Sequence, residues 1–179
     1  MGNRINEIVL DLETQKTFDE VGGRNMHLLR ISVVGIYSYA KDGFQIFTES
    51  TIFNLLPILE SASRVVGFNI RKFDYQVLKP YFKKNLNMLP TLDIMEDIQH
   101  SLGHRLSLQS LVNATLGEGK IASGLDAVRF FREGKMEELI EYCKADVRLT
   151  RDLYEYGRAH EYLLYRTHWG LEHIPVRWK

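Results

Sequence analysis

The stretch Ile8-Val-Leu-Asp11-Leu-Glu13-Thr14 is an apolar run that ends in two carboxylates. Successive side chains of a β-strand alternate between its faces, so Asp11 and Glu13 project from the same face. The apolar side chains on the other face are those of Ile8, Leu10 and Leu12. Two carboxylates held this close repel each other unless a cation lies between them. Because clustered Asp and Glu oxygens suit Mg²⁺ or Mn²⁺, the stretch predicts a metal site at the end of a strand.

A further carboxylate, Asp146, stands on the apolar side of a predicted helix from Met136 to Tyr156. At 3.6 residues per turn, the core-facing stripe of this helix contains Leu139, Tyr142, Cys143, Leu149, Thr150 and Leu153. Asp146 lies in the middle of that stripe, where an unpaired carboxylate is costly or shifts its pKa, so it needs a partner. Tyr142 stands four residues earlier on the same face, which brings its hydroxyl near the same place.

The middle of the chain supplies a fourth acidic residue in Gly67-Phe-Asn69-Ile-Arg-Lys-Phe73-Asp74. Asn69 lies near a predicted helix start and Phe73 packs against the sheet, so both position this segment. The candidate substrate contacts are Asn69, Lys72 and Lys120. The simpler interpretation is a positioning role for Asn69, a solvated helix face for Lys72 and an exposed loop for Lys120.

Three motifs therefore occur in order: Asp11-Leu-Glu13, Asn69-Ile-Arg-Lys-Phe73-Asp74 and Tyr142-Cys-Lys-Ala-Asp146. This pattern resembles the Exo I, Exo II and Exo III motifs of the DEDD exonucleases, the DnaQ-like branch of the RNase H-like superfamily. Tyr142 marks the DEDDy subgroup, since the sister subgroup has a His where this chain has Glu141. The resemblance covers about Ile5 to Tyr156, and residues 141–150 are also similar to the YprB-type predicted exonucleases.

The resemblance implies a 3′→5′ exonuclease that removes mononucleotides from single-stranded DNA or RNA. Its two Mg²⁺ or Mn²⁺ ions, about 4 Å apart, would be held by Asp11, Glu13, Asp74 and Asp146. Tyr142 would orient the attacking water, because a phenol with a pKa near 10 is a poor base at neutral pH. The residues alone predict only metal-dependent phosphodiester hydrolysis. A helicase or a polymerase is a possible partner, and the oligomeric state is open.

Two other functions fit the same residues. The carboxylates could serve an endoribonuclease on the same fold, which a blocked 3′ end would not stop. The chain could also be a non-catalytic module that binds nucleic acid or protein, which would show no metal-dependent cleavage. The complete motif set makes the second alternative weaker.

Predicted secondary structure gives an α/β fold with a mixed five-stranded sheet and helices on both faces, in the order of an RNase H-like fold. The predicted strands are Glu7–Leu12, Leu28–Tyr39, Gly43–Thr48, Arg64–Phe68 and Leu86–Leu92. Helices are expected over Thr51–Ser61 with an interruption at Pro57, over Lys72–Phe82, and from Ile94 to Gly157 with breaks at Gly103, Gly117–Gly119 and Gly134. A small hairpin over residues 161–178 follows, whose Trp169 and Trp178 pack onto the domain or stack on bases.

Composition limits the function class. With 179 residues and 45% hydrophobic content, the chain is expected to form one domain over residues 1–179 with its motif-bearing core over about 5–156. Equal numbers of basic and acidic residues, 23 of each, argue against a long nucleic-acid footprint. The single Cys143 excludes an internal disulfide and is interpreted as core filler. No signal peptide or membrane span is recognisable, so a soluble, cytoplasmic protein is expected.

Overall fold

The computed structural model describes residues 6–23, 25–119 and 124–178. Its seven strands are β1 (Glu7–Thr14), β2 (Ile31–Ser38), β3 (Gly43–Thr48), β4 (Arg64–Gly67), β5 (Thr91–Asp93), β6 (Tyr162–Thr167) and β7 (Gly170–Pro175). The first five form a mixed sheet in the order β3-β2-β1-β4-β5, in which β1, β2 and β3 are antiparallel and β1, β4 and β5 are parallel. The predicted α/β, RNase H-like sheet is confirmed.

Helices cover both faces of this sheet. They are α1 (Leu55–Ser61), α2 (Asp74–Leu78), α3 (Ile94–Leu102), α4 (Leu108–Leu116), α5 (Gly124–Arg132) and α6 (Met136–His160). The predicted breaks are present, since Gly103, Gly117 and Gly134 adopt positive φ at or near helix ends. None of the helices in the described ranges is long and apolar enough to cross a membrane.

The side-chain alternation of β1 divides the core. Ile8 and Leu10 pack on one face with α1 and α2, whereas Val9 packs on the other face with α6. All three side chains are at most 1% exposed, and each contributes about 1.5–3 kcal/mol through burial. Because both faces are buried, the register of β1 is fixed, and a slip of one residue would exchange its acidic and apolar side chains.

Two predicted elements are shorter than expected. The helix predicted over Lys72–Phe82 is only α2, because Pro80 has no N–H to continue the helical hydrogen bonds and Phe73 is not helical. The strand predicted over Leu86–Leu92 is only β5. Its first part is a 3₁₀ turn over Leu86–Met88, started by the Asn85 side chain accepting a hydrogen bond from the backbone N–H of Asn87.

Two further boundaries were wrong. Pro57 does not interrupt its helix, because it lies in the first turn of α1, where backbone N–H groups have no helical partner. Strand β2 begins at Ile31 rather than at Leu28, because Met26–Leu28 forms a 3₁₀ turn.

Strands β6 and β7 form the predicted C-terminal hairpin. Trp178 is 5% exposed and packs against Tyr154, with ring centroids 5.9 Å apart. A β-carbon on Gly157 would lie 2.4 Å from the Trp178 ring, so this glycine lets the indole sit on α6. Trp169, in contrast, is 88% exposed at the turn. Of the two tryptophans, only Trp178 therefore packs onto the domain as predicted.

Candidate metal centre

Strand β1 presents two carboxylates at its C-terminal end. Asp11 pairs with Gly35 of β2, and Glu13 pairs with Val33, after which the register shifts between Glu13 and Thr14. Glu13 is only 8% exposed, although it is charged in water at neutral pH. The predicted alternation of β1 is thus present, with the acidic face turned toward α6.

Helix α6 approaches this face closely because Gly35 has no side chain. A β-carbon on Gly35 would lie 2.9 Å from Cys143 Sγ and 3.1 Å from Val147 Cγ2, both closer than ordinary contacts. Cys143 Sγ also lies 3.7 Å from the backbone oxygen of Asp11. The sequence analysis missed Gly35, whose only signal was a glycine inside an apolar strand. This contact brings Asp146, one residue before Val147, over the end of β1.

Three carboxylates meet at this point. One ligand oxygen from each of Asp11, Glu13 and Asp146 lies within 4.8 Å of the others. Burial raises the pKa of Asp11 and Glu13 well above the usual values, and the neighbouring charges, first that of Asp146, raise them further. Burial also raises the pKa of Asp146, to about 6, although a hydrogen bond from Tyr142 opposes this rise. The group is therefore under electrostatic strain in the absence of a cation.

Asp74 is the fourth predicted acidic residue, and it begins α2 beside this group. It is 2% exposed, and burial raises its pKa while hydrogen bonds from backbone N–H groups oppose the rise. Its charge raises the pKa of both Asp11 and Glu13. The compact group within 4.8 Å nevertheless contains only the other three carboxylates.

Tyr142 donates a hydrogen bond to Asp146 from one turn earlier on α6. Burial raises the pKa of its phenol far above the usual value, and the charges of Asp146, Glu13 and Asp11 add to that effect. The phenol therefore stays protonated throughout the physiological pH range. It can donate a hydrogen bond in the site, and its raised pKa makes it a poor base.

Asp93 fixes the segment that leads to Asp74. Its carboxylate accepts hydrogen bonds from the backbone N–H groups of Asn69 at 2.8 Å and Arg71 at 3.1 Å. It also accepts from the N–H of Met95 at 3.1 Å and thereby caps α3. Asn69 adopts a left-handed φ of 63° within this turn. The sequence analysis did not select Asp93, because an Asp before a helix normally indicates only a cap.

The two predicted substrate contacts within the described residues, Asn69 and Lys72, do not gather at the carboxylates. The Asn69 side chain accepts a hydrogen bond from Arg105 at 2.6 Å, which supports the predicted positioning role. Lys72 Nζ lies 3.9 Å from a Glu96 oxygen and lines a different cavity from the one at the carboxylates. Lys120 lies outside the described residues.

The carboxylates open into a cavity of about 400 Å³, here called the acidic cavity. Its polar end is formed by Asp11, Glu13, Tyr142 and Asp146. Its apolar wall is formed by Phe18, Leu29, Phe73, Leu125 and Val128. Phe18 and Phe73 contact each other with ring centroids 5.8 Å apart, and Phe18 is 47% exposed. A cavity of this size and lining can hold a small ligand whose flat apolar part packs on the aromatic wall, and an anionic group on that ligand would need a cation between it and the carboxylates.

The donor set fits a divalent cation. Oxygens bound to one such ion lie at most roughly 4–5 Å apart, which matches the spacing of the three carboxylates. Oδ1 of Asp74 and Oδ1 of Asp146 are buried and have no hydrogen-bond partner within the described part of the chain. Buried carboxylate oxygens without a donor are costly, and a cation would satisfy them.

Comparisons with known proteins address the fold. The family model described as RNase_H superfamily matches residues 8–157. No curated protein matches the sequence. A structure of the family B DNA polymerase from the hyperthermophilic archaeon Pyrobaculum calidifontis is similar at 15% identity, with a TM-score of 0.66 over 87% of this chain and 25% of that one.

Two further solved structures share the fold. The crystal structure of Trypanosoma brucei RNase D is 22% identical, with a TM-score of 0.61 over 87% of this chain and 57% of that one. The zinc-bound E. coli ExoI–ssDNA complex is 11% identical, with a TM-score of 0.52 over 87% of this chain and 41% of that one. The chain thus spans between 25% and 57% of these proteins, and identities this low indicate a common fold alone.

Proposed function

The chain belongs to the RNase_H superfamily, and on that premise we propose that it is a metal-dependent 3′→5′ exonuclease of the DEDDy type. Its substrates are the terminal phosphodiesters of single-stranded DNA or RNA. The observation that carries this proposal is the meeting of Asp11, Glu13 and Asp146 within 4.8 Å at the mouth of the acidic cavity.

The carboxylates of Asp11, Glu13, Asp74 and Asp146 would hold two Mg²⁺ or Mn²⁺ ions. When bound, these ions would activate water for in-line attack and stabilise the leaving 3′-oxygen. The protein itself supplies a rigid frame, because β1, α2 and α6 each fix one part of the carboxylate group. Such a frame lowers the barrier by holding the reacting groups in place before the reaction starts.

Tyr142 acts by position. Its phenol remains protonated and already donates a hydrogen bond to Asp146, so it can orient a water beside that carboxylate. A phenol with a raised pKa is a poor base for removing a proton from water. The tyrosine therefore selects the direction of attack, and its removal should slow the reaction without abolishing it.

The shape of the acidic cavity supports cleavage at an end. Phe18 and Phe73 form an apolar wall close to the carboxylates, and about 400 Å³ of space suits a single terminal nucleotide better than a continuous duplex. Aromatic faces accept any base, which fits an enzyme that shortens strands of mixed sequence. The solved RNase D and ExoI–ssDNA structures of similar fold support the same substrate class.

The direct test uses 5′-labelled single strands of DNA and RNA with Mg²⁺, Mn²⁺ or chelator. We expect a descending ladder that requires metal and stops when the 3′ end is blocked. A matched circular strand is the control, and internal cuts on it would favour the endoribonuclease instead. Complete absence of cleavage on every strand would favour the non-catalytic module. The cytoplasmic location and a helicase or polymerase partner stay predictions.

A further inference from the structure

We propose that a basic groove beside the acidic cavity binds the nucleic-acid strand behind the scissile nucleotide. The groove is formed by α2, the segment after it, and the turn at Met26–Leu28. It comprises a cavity of about 870 Å³ and a second of about 450 Å³, which share Gln76 and Lys79. The inference rests on the proposed function, since the strand it would hold is the substrate of the carboxylates.

The groove begins where the acidic cavity ends. Phe73, directly before α2, lines the acidic cavity, whereas Gln76 on α2 and Lys79 directly after it line the basic groove. The segment before β2 makes the same transition, because Leu29 lines the acidic cavity and Met26 lines the basic groove. A strand whose terminal nucleotide lies against Phe73 can therefore continue directly into the groove.

The charge of the groove suits a phosphate backbone. Its cationic side chains are Arg71, Lys72, Lys79, Lys83 and Lys84. Glu96 lies 3.5 Å from Arg71 and 3.9 Å from Lys72. Glu60 lies 2.5 Å from Lys84. The groove therefore keeps an excess of positive charge on a chain whose net charge is zero.

Lys79 and Lys83 supply that excess. Both are exposed, and within the described ranges neither makes an ion pair with a carboxylate. Lysines left without a counter-ion beside a cavity are available to phosphates, and each contact releases condensed counter-ions from the strand. The side-chain amides of Gln76, Asn85 and Asn87 also line the groove and can donate to phosphate or sugar oxygens.

The groove is short, which fits the balanced composition. A basic stripe that crosses the whole protein would give a large positive charge, whereas this surface can neutralise only a few phosphates. Its occupant is a few nucleotides of single strand behind the 3′ end. An acidic protein segment would be attracted by the same charges, but it would not need a position next to the acidic cavity.

The test compares Lys79→Gln/Lys83→Gln with the wild type on a dinucleotide and on a single strand of about 16 nucleotides, the upper end of known single-strand site sizes. The control, Lys41→Gln/Arg177→Gln, also removes two exposed positive charges, outside the groove. Binding is measured by fluorescence anisotropy in chelator over a range of salt, and cleavage with Mn²⁺. Melting temperatures confirm that all variants fold.

Loss of two phosphate contacts should make the slope of log affinity against log salt shallower by about 1.4. If the groove variant and the wild type bind equally at 1 M salt, the variant should therefore bind up to about 25-fold more weakly at 0.1 M. We expect the groove variant to lose kcat/KM on the long strand and to keep wild-type hydrolysis of the dinucleotide, while the control keeps both. Equal losses on both substrates, an unchanged salt slope, or an equal loss in the control would overturn the inference.

Two outcomes separate this inference from the function on which it rests. A wild type that cleaves the long strand and a groove variant that binds and cleaves it equally well would overturn the groove alone. A wild type that cleaves neither substrate with Mn²⁺ would overturn the proposed exonuclease together with the groove. Competition by poly-glutamate as strong as by oligonucleotide would assign the groove to a protein partner and also contradict the inference.

Discussion

Gly35 lies under Cys143, and a β-carbon at Gly35 would come within 2.9 Å of the Cys143 sulfur. Gly35 is also the β2 partner of Asp11. A close approach of α6 to the sheet therefore occurs at the level of the first acidic residue. Because the next turn of α6 carries Asp146, this contact sets the distance between the carboxylates of β1 and that of α6.

The first prediction concerns this contact. Gly35→Ala should destabilise the protein by about 1–3 kcal/mol, because a packed core cannot accept a further methyl group without moving. The movement should displace Asp146 and lower kcat. Adding Cys143→Ala should restore part of both losses, since it removes the nearer of the two obstructing atoms. Thermal unfolding and steady-state kinetics measure this, and an active, fully stable Gly35→Ala protein would contradict it.

The second prediction separates a ligand from a positioning residue. Asp146→Asn should remove detectable cleavage, because one of the three clustered carboxylates is lost. Tyr142→Phe should lower kcat by about 10–100-fold, equivalent to about 1.4–2.8 kcal/mol, and retain a measurable rate. The affinity for Mn²⁺ should fall in the first variant and stay near wild type in the second. Complete inactivity of both folded variants would mean that the phenol does more than orient water.

The third prediction uses stability as a readout of the carboxylate group. Asp11→Asn should raise the melting temperature in chelator at neutral pH or leave it unchanged, because it removes one of several repelling charges. Mn²⁺ at a hundredfold excess over its dissociation constant should stabilise the wild type by about 2.7 kcal/mol and the variant much less. If Mn²⁺ shifts both proteins equally, Asp11 is a structural residue and the two-metal site is wrong.

The fourth prediction concerns how the difference in stability between Asp11→Asn and the wild type, measured in chelator, depends on pH. The folded-state pKa values of Asp11, Glu13 and Asp146 are raised, so the folded protein binds these protons more tightly than the unfolded chain. The stabilisation from this tighter proton binding is fully present below the unfolded pKa values of about 4. It is lost as the pH rises through the folded-state pKa values, of which that of Asp146 is about 6. The advantage of Asp11→Asn over the wild type should therefore grow between about pH 4 and pH 7. An advantage that does not change with pH would show that repulsion is not its cause.

The fifth prediction concerns Asp93. Asp93→Asn keeps one acceptor oxygen and replaces the other by an amide that cannot accept from Arg71, so a partly buried N–H loses its partner at a cost of about 1 kcal/mol. Stability and kcat should both fall, because the turn that leads to Asp74 loosens. Asp97→Asn, in the helix α3 that Asp93 caps, is the control: it keeps an acceptor for Trp178 Nε1 and should leave kcat unchanged. Equal kcat values for the two variants would contradict a positioning role for Asp93.

Much of the fold and part of the site were predictable from the sequence. The five strands of a mixed sheet and the C-terminal hairpin follow from periodicity and turn residues, and both are present. Alternation along β1 placed Asp11 and Glu13 on one face, and helical periodicity placed Asp146 and Tyr142 on one stripe. These patterns depend on neighbours within one element, whose geometry is fixed by the backbone alone.

The remaining features required the tertiary structure. The closeness of Asp11 to Asp146 depends on Gly35, which permits a contact between residues more than 100 positions apart. The turn that leads to Asp74 depends on Asp93, 22–24 residues beyond the N–H groups that it binds. Sequence periodicity indicates which way a side chain points within its own element. How closely two elements pack depends on side-chain volume and hydrogen bonds at their contact, and only the folded chain brings those groups together.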